Sequence, residues 1–178
     1  MDLLRTDEEL DLVQAAQRGS VEAFGRLYER YYGQMVWLAY AVLLDKDLAE
    51  DAAQEAFAAA CRNLANLKRP DRFVPWLGRI CQNQAYRLAR ARRNYAGMEG
   101  QIDHVCSVDP PAEYEEAVRL AIRGLPVMYR QIVVLFYYDQ LSYQQIHQVL
   151  GISVNKVKGR LFRARRLLER RLRQMGFE

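Results

Sequence analysis

Hydrophobic residues recur at intervals of three and four along most of this chain, and no segment alternates apolar and polar residues over the length of a strand. Such spacing places the apolar side chains on one face of an α-helix. It predicts a short helix over residues 7–17, a long helix that starts after Ser20, and two more that end near residues 64 and 93. Helical spacing returns at about residue 112. We therefore predict an all-α fold.

Two of these predicted helices have distinctive polar faces. The helix that ends near residue 64 has an outer face of acidic and amide side chains, Asp51, Gln54 and Glu55. The next helix, over residues 72–93, has a basic and aromatic face, Arg79, Asn83, Tyr86, Arg87 and Arg90. Arginine neutralises phosphates, asparagine can read a base edge and tyrosine offers a stacking surface, so this mixture suits single-stranded nucleic acid. Taken alone, such a pattern is more often a solvated basic face.

Periodicity stops between residues 94 and 111, where glycine, proline and polar residues leave no apolar stripe. We interpret this stretch as a linker with little regular structure. The sequence thus predicts two small helical domains, residues 1–95 and 113–178, joined by a flexible linker over residues 96–112.

The strongest signal lies in residues 141–168, LSYQQIHQVLGISVNKVKGRLFRARRLL, which predict a helix-turn-helix. Ser142 can cap a short first helix, Gly151 permits a tight turn, and Ser153 can cap the second helix. The second helix has one apolar face, formed by Val154, Val157, Leu161, Ala164 and Leu168. Its opposite face carries Asn155, Lys156, Gly159, Phe162, Arg163 and Arg166.

The charge on this second helix is strongly one-sided. Residues 156–173 contain nine Lys or Arg and one acid, Glu169. A charge run is usually a solvated face. Here the turn glycine, two helix caps and the one-sided charge occur together, which favours a recognition helix in the major groove of duplex DNA.

Composition narrows the choice of partners. The net charge of the 178 residues is +4, yet the first fifty-five are acidic on balance, whereas residues 62–93 and the C-terminal helix are basic. This asymmetry predicts a protein contact near the start and nucleic-acid contacts elsewhere. The acidic N-terminus and the lack of a long apolar run predict a cytoplasmic protein that does not insert into a membrane.

The three cysteines, Cys61, Cys81 and Cys106, are odd in number and lack CxxC spacing. We interpret them as reduced thiols, with Cys61 and Cys81 in the core. We expect no metal site, no cofactor and no enzymatic activity, because the sequence shows no metal-ligand cluster and no catalytic constellation.

Residues 49–64 (AEDAAQEAFAAACRNL) and 73–93 (FVPWLGRICQNQAYRLARARR) resemble the second conserved region of bacterial RNA polymerase sigma factors, and residues 125–168 resemble the fourth. The order and the short linker resemble the extracytoplasmic-function (ECF) branch of the sigma-70 family. The resemblance covers residues 10–172. It implies an alternative sigma factor that binds core RNA polymerase, recognises and helps to melt promoter DNA, starts transcription, and is held inactive by an anti-sigma factor.

The resemblance also implies roles for individual residues. Asp51, Gln54 and Glu55 would dock on the clamp helices of the polymerase β′ subunit, and the fourth region would contact the β flap. Asn83 would line a pocket for a flipped-out base of the minus-ten element, supported by Arg79, Tyr86, Arg87 and Arg90. The minus-thirty-five element would be read by Lys158, Gly159, Phe162 and Arg163, and the same surface would include Asn155, Lys156 and Arg166.

Three residues depart from the family pattern. Arg87 stands where Asp is usual, His147 where Ala is usual, and Lys156 where Thr is common. His147 is expected either to point outward or to hold the two helices of the motif slightly apart. Arg87 would change the charge of the minus-ten surface, and Lys156 would add phosphate affinity or alter the preferred promoter.

Two other functions remain open at this point. The chain could be a self-sufficient helix-turn-helix regulator that binds palindromic duplex DNA without polymerase. It could also be a sigma-like adaptor or antagonist. The block at residues 51–57 argues against the first alternative, because a dimerisation domain would not require it.

Overall fold

The computed structural model describes residues 3–96 and 113–177, and the regular structure of this part of the chain is helical throughout. The first half contains α1 (Leu3–Gln17), α2 (Val21–Leu43), α3 (Lys46–Asn63) and α4 (Phe73–Ala96), with 3-10 turns at Leu64–Asn66 and Pro70–Arg72. The all-α prediction is confirmed. The predicted linker over residues 96–112 lies, apart from its first residue, outside the described residues.

The second half contains α5 (Glu113–Arg123), α6 (Val127–Val133), α7 (Tyr143–Leu150) and α8 (Val154–Gln174). Between α6 and α7 the chain widens into a π-helical segment, Val134–Tyr138, which the sequence pattern did not predict. In this segment the Asp139 N–H donates to the Val134 carbonyl, five residues back. We refer to α1–α4 as the N-terminal bundle and to α5–α8 as the C-terminal bundle.

The core of the N-terminal bundle forms where α2, α3 and α4 pack on one another. It contains apolar residues of α2, α3 and α4, including Leu27, Met35, Leu38, Phe57, Phe73 and Leu77. Most of the buried α3 residues are alanines. Because alanine has a short side chain, α3 can approach its two neighbours closely and keep its opposite face in solvent.

The two cysteines in the described residues have different environments. Cys81 is fully buried, its Sγ–H donates to the Met35 carbonyl at 3.3 Å, and burial raises the pKa of its thiol to about 12. Cys61 is exposed, so the prediction that it belongs to the core is wrong. It follows Gln54 by seven residues, which is two helical turns, and therefore shares the solvent-facing side of α3.

The C-terminal bundle is organised around α8, which packs against α5, α6 and α7. Val157, Leu161 and Ala164 of α8 are buried, as the sequence predicts. The two bundles also contact each other, because α2 packs on α6 and on the π-helical segment and α4 packs on α7. The hydrophobic core is consequently continuous from one bundle to the other.

Candidate polymerase and promoter interfaces

The outer face of α3 presents the acidic and amide residues that the sequence singles out. Asp45 caps the helix, accepting from the Leu48 N–H at 3.1 Å. Asp51, Gln54 and Glu55 are all exposed, and they lie within about 6 Å along the helix axis. A compact acidic surface of this kind can pair with arginines of a partner protein.

Phe57 fixes this helix from its other side. It is only 2% exposed, and its ring centroid lies 4.7 Å from that of Tyr28, 6.3 Å from that of Phe24 and 6.4 Å from that of Tyr32. Phe57 therefore belongs to the hydrophobic core. These ring contacts anchor α3 on α2, and this packing sets the position of the exposed side chains of α3.

The basic face of α4 is exposed along its length. Arg79, Asn83, Tyr86, Arg87 and Arg90 are all exposed, whereas Phe73, Leu77, Cys81 and Ala85 on the other side are buried. The exposed set extends over about 17 Å of helix. The structure therefore brings all five predicted minus-ten residues onto one surface. Arg87, the departure from the family pattern, extends the positive charge of this surface.

The helix-turn-helix has the predicted caps. Ser142 and Gln145 form a reciprocal capping box, in which the Gln145 N–H donates to Ser142 Oγ at 3.3 Å and the Ser142 N–H donates to Gln145 Oε1 at 2.8 Å. Gly151 ends α7 in the left-handed region at a φ of 63°. Ser153 caps α8 by accepting from the Lys156 N–H at 3.3 Å. These bonds fix where both helices of the motif begin.

His147 lies at the junction between the two helices of this motif. It is half-buried, and its Nδ1 lies 2.6 Å from the Ile152 carbonyl oxygen. A carbonyl can only accept, so Nδ1 carries the hydrogen. His147 thus bonds across the turn that joins α7 to α8. Sequence reasoning did not foresee this bond, which a hydrogen-bond acceptor in the turn makes possible.

One exposed face of α8 gathers six of the seven residues predicted to contact the minus-thirty-five element. Asn155, Lys156, Phe162, Arg163 and Arg166 are exposed, and Gly159 is half-buried among them. Phe162 is 61% exposed, and the Arg166 guanidinium lies 5.9 Å from its ring centroid. A Cβ at Gly159 would meet no atom within 4 Å, so nothing in the described chain requires glycine there.

Lys158 is the predicted residue that leaves this face. Its Nζ lies 5.8 Å from the ring centroid of Tyr143, the first residue of α7. The side chain therefore extends along the edge of the motif towards α7. Lys158 therefore does not share the surface of Lys156 and Arg163.

Sequence reasoning missed Arg130, which is the most unusual polar residue of the structure. It is 6% exposed, and its guanidinium donates to three backbone carbonyls: Nε to Ala41 at 2.5 Å, Nη1 to Arg123 at 2.7 Å and Nη2 to Val42 at 3.5 Å. Burial lowers the pKa of this guanidinium. One sequence feature could have identified it as unusual: Arg130 is the only charged residue in the apolar run 127–138.

A second unusual group follows the π-helical segment. The Asp139 carboxyl is half-buried, its Oδ2 has no hydrogen-bond partner within the described part of the chain, and burial raises its pKa to about 6.

No cluster of three or more potential metal ligands occurs among the described residues. None of the described helices is long and apolar enough to span a bilayer.

Comparisons with known proteins match both bundles of the chain. The family model for Sigma-70 region 2 matches residues 27–95, and that for Sigma-70 region 4 matches residues 115–168. The RNA polymerase sigma-H factor of Pseudomonas aeruginosa is 31% identical over 191 residues, which cover 97% of this chain and 98% of that protein. The ECF RNA polymerase sigma factor SigW of Bacillus subtilis is 32% identical, with coverage of 92% and 96%.

A probable RNA polymerase sigma factor of Xanthomonas campestris, RfaY, is 34% identical over 89% of this chain, which spans only 42% of the length of that protein. Among solved structures, CnrH in complex with the cytosolic domain of CnrY has a TM-score of 0.65 and 28% identity, with coverage of 94% of this chain and 98% of that one. The sigma factor RpoE of Bartonella quintana, solved with the anti-sigma factor NepR, has a TM-score of 0.60 at 21% identity, a likeness of fold. The two matched regions, in this order and over most of the chain, show that the protein belongs to the sigma-70 family of RNA polymerase sigma factors, in its ECF branch.

Proposed function

We propose that this alternative sigma factor directs transcription initiation through three separate helix faces, each with its own partner. The outer face of α3 binds core RNA polymerase, the basic face of α4 holds the opened minus-ten strand, and α8 reads the minus-thirty-five duplex. One observation carries the assignment. Each face is exposed and has a charge suited to its partner, while the buried side of the same helix belongs to the core.

The side chains on the two proposed DNA faces suit different states of the DNA, single-stranded at α4 and duplex at α8. The α4 face combines cations with Asn83 and Tyr86, which can bond and stack on unpaired bases. The α8 face projects from a capped helix-turn-helix, a geometry that fits the major groove of closed duplex. The working division of the chain is residues 1–95 for polymerase and minus-ten binding and residues 113–178 for minus-thirty-five binding.

The remaining features of the proposal follow from family membership. The chain acts as an initiation factor in the cytoplasm and performs no covalent chemistry itself. CnrH was solved with the cytosolic domain of CnrY bound. RpoE was solved with the anti-sigma factor NepR bound. Their complexes support the expectation that an anti-sigma factor binds this chain as well.

Binding to core polymerase tests the central assignment. The purified chain is mixed with cognate core RNA polymerase, and the complex is measured by size-exclusion chromatography. A variant with Asp51→Ala, Gln54→Ala and Glu55→Ala should lose the complex because the acidic face of α3 is gone. A control with Glu22→Ala and Glu29→Ala removes two exposed carboxylates of α2 and should bind normally.

Promoter opening separates the two DNA faces. Asn83→Ala should keep the polymerase complex but reduce strand opening at the minus-ten element, measured by permanganate reactivity of unpaired thymines. Arg163→Ala should weaken promoter binding before opening. Tight binding of the free chain to palindromic duplex, together with no binding to core polymerase, would support the self-sufficient regulator and overturn the proposal.

A further inference from the structure

One flank of α8 carries two cations that pack on aromatic rings. Arg165 donates from Nε to the Tyr137 hydroxyl at 2.8 Å, and its guanidinium carbon lies 5.7 Å from the ring centroids of both Phe136 and Tyr137. Two turns earlier on α8, Lys158 Nζ lies 5.8 Å from the ring centroid of Tyr143. Aromatic rings attract a cation without cancelling its charge. These contacts therefore orient both side chains and leave them fully positive.

The rings that contact these two cations form one continuous row. Tyr143 stacks on Phe136 with ring centroids 5.4 Å apart and an interplanar angle of 20°. Phe136 in turn meets Tyr137 edge to face at 5.0 Å. The row joins the start of α7 to the π-helical segment. We refer to these three rings, together with Lys158 and Arg165, as the aromatic flank of α8.

The aromatic flank lies beside the proposed minus-thirty-five face rather than within it. Lys158 and Arg165 are seven residues apart, so they share one side of α8 and are about 10 Å apart along its axis. Lys156 and Arg163 have the same spacing but come two residues earlier, which places them about 160° away around the helix. The exposed Phe162 projects between the two pairs, opposite the buried side of α8.

A helix in the major groove has a phosphate backbone on each side. The groove is about 12 Å wide, and a helix with its side chains is about 10–12 Å across, so cations on opposite flanks of α8 meet opposite strands. Arginine has five N–H donors, and the bond to Tyr137 uses only the one on Nε. The two Nη groups of Arg165, which is exposed, are suited to a bidentate contact with a phosphate.

We propose that Arg165 binds a backbone phosphate of the minus-thirty-five duplex and is positioned for that contact by Tyr137. The phosphate belongs to the strand opposite the one that Arg163 contacts. Lys158 binds a further phosphate of the same strand as Arg165. The aromatic flank thus adds affinity that does not depend on base sequence. This inference rests on the proposed function of α8 and extends it to residues outside the predicted DNA face.

Salt dependence tests for the phosphate contact. The complex of core polymerase with each variant is titrated with closed promoter duplex at several salt concentrations. Arg165→Gln should weaken binding about tenfold or more and reduce the slope of log affinity against log salt by about 0.9, the value for one phosphate. A changed minus-thirty-five sequence should lower the affinity of wild type and of Arg165→Gln by the same factor. Arg18→Gln, which removes an exposed arginine between α1 and α2, is the matched control and should keep the wild-type affinity and slope.

Conservative variants test whether Tyr137 is a positioning residue. Tyr137→Phe keeps the ring and the charge of Arg165 but removes the hydroxyl. The affinity should therefore fall about twofold to fivefold, while the salt slope stays at the wild-type value. Arg165→Lys keeps the charge and loses the planar guanidinium, so it should also weaken binding without a change in slope. Adding Tyr137→Phe to Arg165→Lys should then cause no further loss.

Neutral phosphates test the assignment of strands. A methylphosphonate replaces one phosphate at a time along both strands of the minus-thirty-five element. At one position, this replacement should weaken the binding of wild type but not that of Arg165→Gln, because the interaction is already absent in the variant. The corresponding position for Arg163→Gln should lie on the other strand.

Two results would overturn the inference. One is an unchanged salt slope for Arg165→Gln, which would mean that Arg165 only fastens α8 to the π-helical segment. The other is that the positions for Arg165→Gln and Arg163→Gln fall on the same strand. Far-UV circular dichroism and size-exclusion chromatography with core polymerase check that each variant is folded and forms the complex. Failure of the proposed function would look different, because the wild-type complex would then bind DNA with no dependence on the minus-thirty-five sequence.

Discussion

Asp139→Asn should stabilise the protein at neutral pH and have little effect in acid. The Asp139 carboxyl is half-buried, and burial raises its pKa from 3.8 to about 6. Between about pH 4 and pH 6 the folded chain holds this proton more tightly than the unfolded chain does. The free energy of unfolding that this group contributes therefore falls as the pH rises through that window and is level above it.

The magnitude follows from the shift. A rise of about two pKa units corresponds to about 3 kcal/mol at full weight. Because the carboxyl is half-exposed, solvent screening reduces the expected effect to about 1–2 kcal/mol. Asparagine keeps the shape of the side chain and carries no charge to bury. Its advantage over aspartate should thus be near zero at pH 4 and reach about 1–2 kcal/mol at pH 7.5.

Urea unfolding followed by far-UV circular dichroism measures this difference at the two pH values. Asp11→Asn is the control, since it removes one carboxylate from the exposed surface of α1 and so corrects for the change in net charge. The reasoning would be refuted if Asp139→Asn gave the same stability change at pH 4 as at pH 7.5. It would also be refuted if the Asp11→Asn control reproduced the whole effect.

Three further outcomes are expected. Phe57→Ala should lower the free energy of unfolding by about 3–5 kcal/mol in urea titrations, because it removes the centre of an aromatic cluster; a loss below about 1 kcal/mol would contradict that role. Gly159→Ala should raise the thermal midpoint, with up to about 1 kcal/mol of added stability, and a lower midpoint would reveal strain that the structure does not show. For the holoenzyme on minus-thirty-five duplex, Arg163→Gln should reduce the slope of log affinity against log salt by about 0.9, whereas an unchanged slope would remove Arg163 from the phosphate contacts.

Patterns within single helices predicted most of the proposed functional surfaces. The caps at Ser142 and Ser153 and the turn at Gly151 are local features, so the sequence was enough to place them. The face of α3 was equally predictable, and the same periodicity placed Cys61 beside Gln54 on the solvent side. Assigning Cys61 to the core gave too much weight to the usual burial of cysteine and too little to its position on the helix.

The docking of the two bundles was beyond the reach of periodicity. A stripe of apolar residues shows that a helix is buried, but it does not identify what covers it. From the sequence alone, Gly78 is an ordinary helix residue and Arg130 an ordinary solvent-facing one. Their roles depend on contacts with the Val149 carbonyl and with the C-terminal end of α2, respectively. Such contacts join residues that are more than seventy positions apart. The π-helical segment, which periodicity did not predict either, contacts α2.

The contrast between the two described cysteines provides a chemical reporter of complex formation. Thiol reagents attack the thiolate, so Cys81, with a pKa of about 12 and no exposed surface, should be inert. Cys61 is open to solvent on the same side of α3 as Gln54. In a Cys106→Ser background, a maleimide dye would therefore attach at one place, beside the surface that is assigned to core polymerase. Protection of Cys61 from alkylation would record the docking of α3 on core polymerase without any mutation in the acidic surface itself.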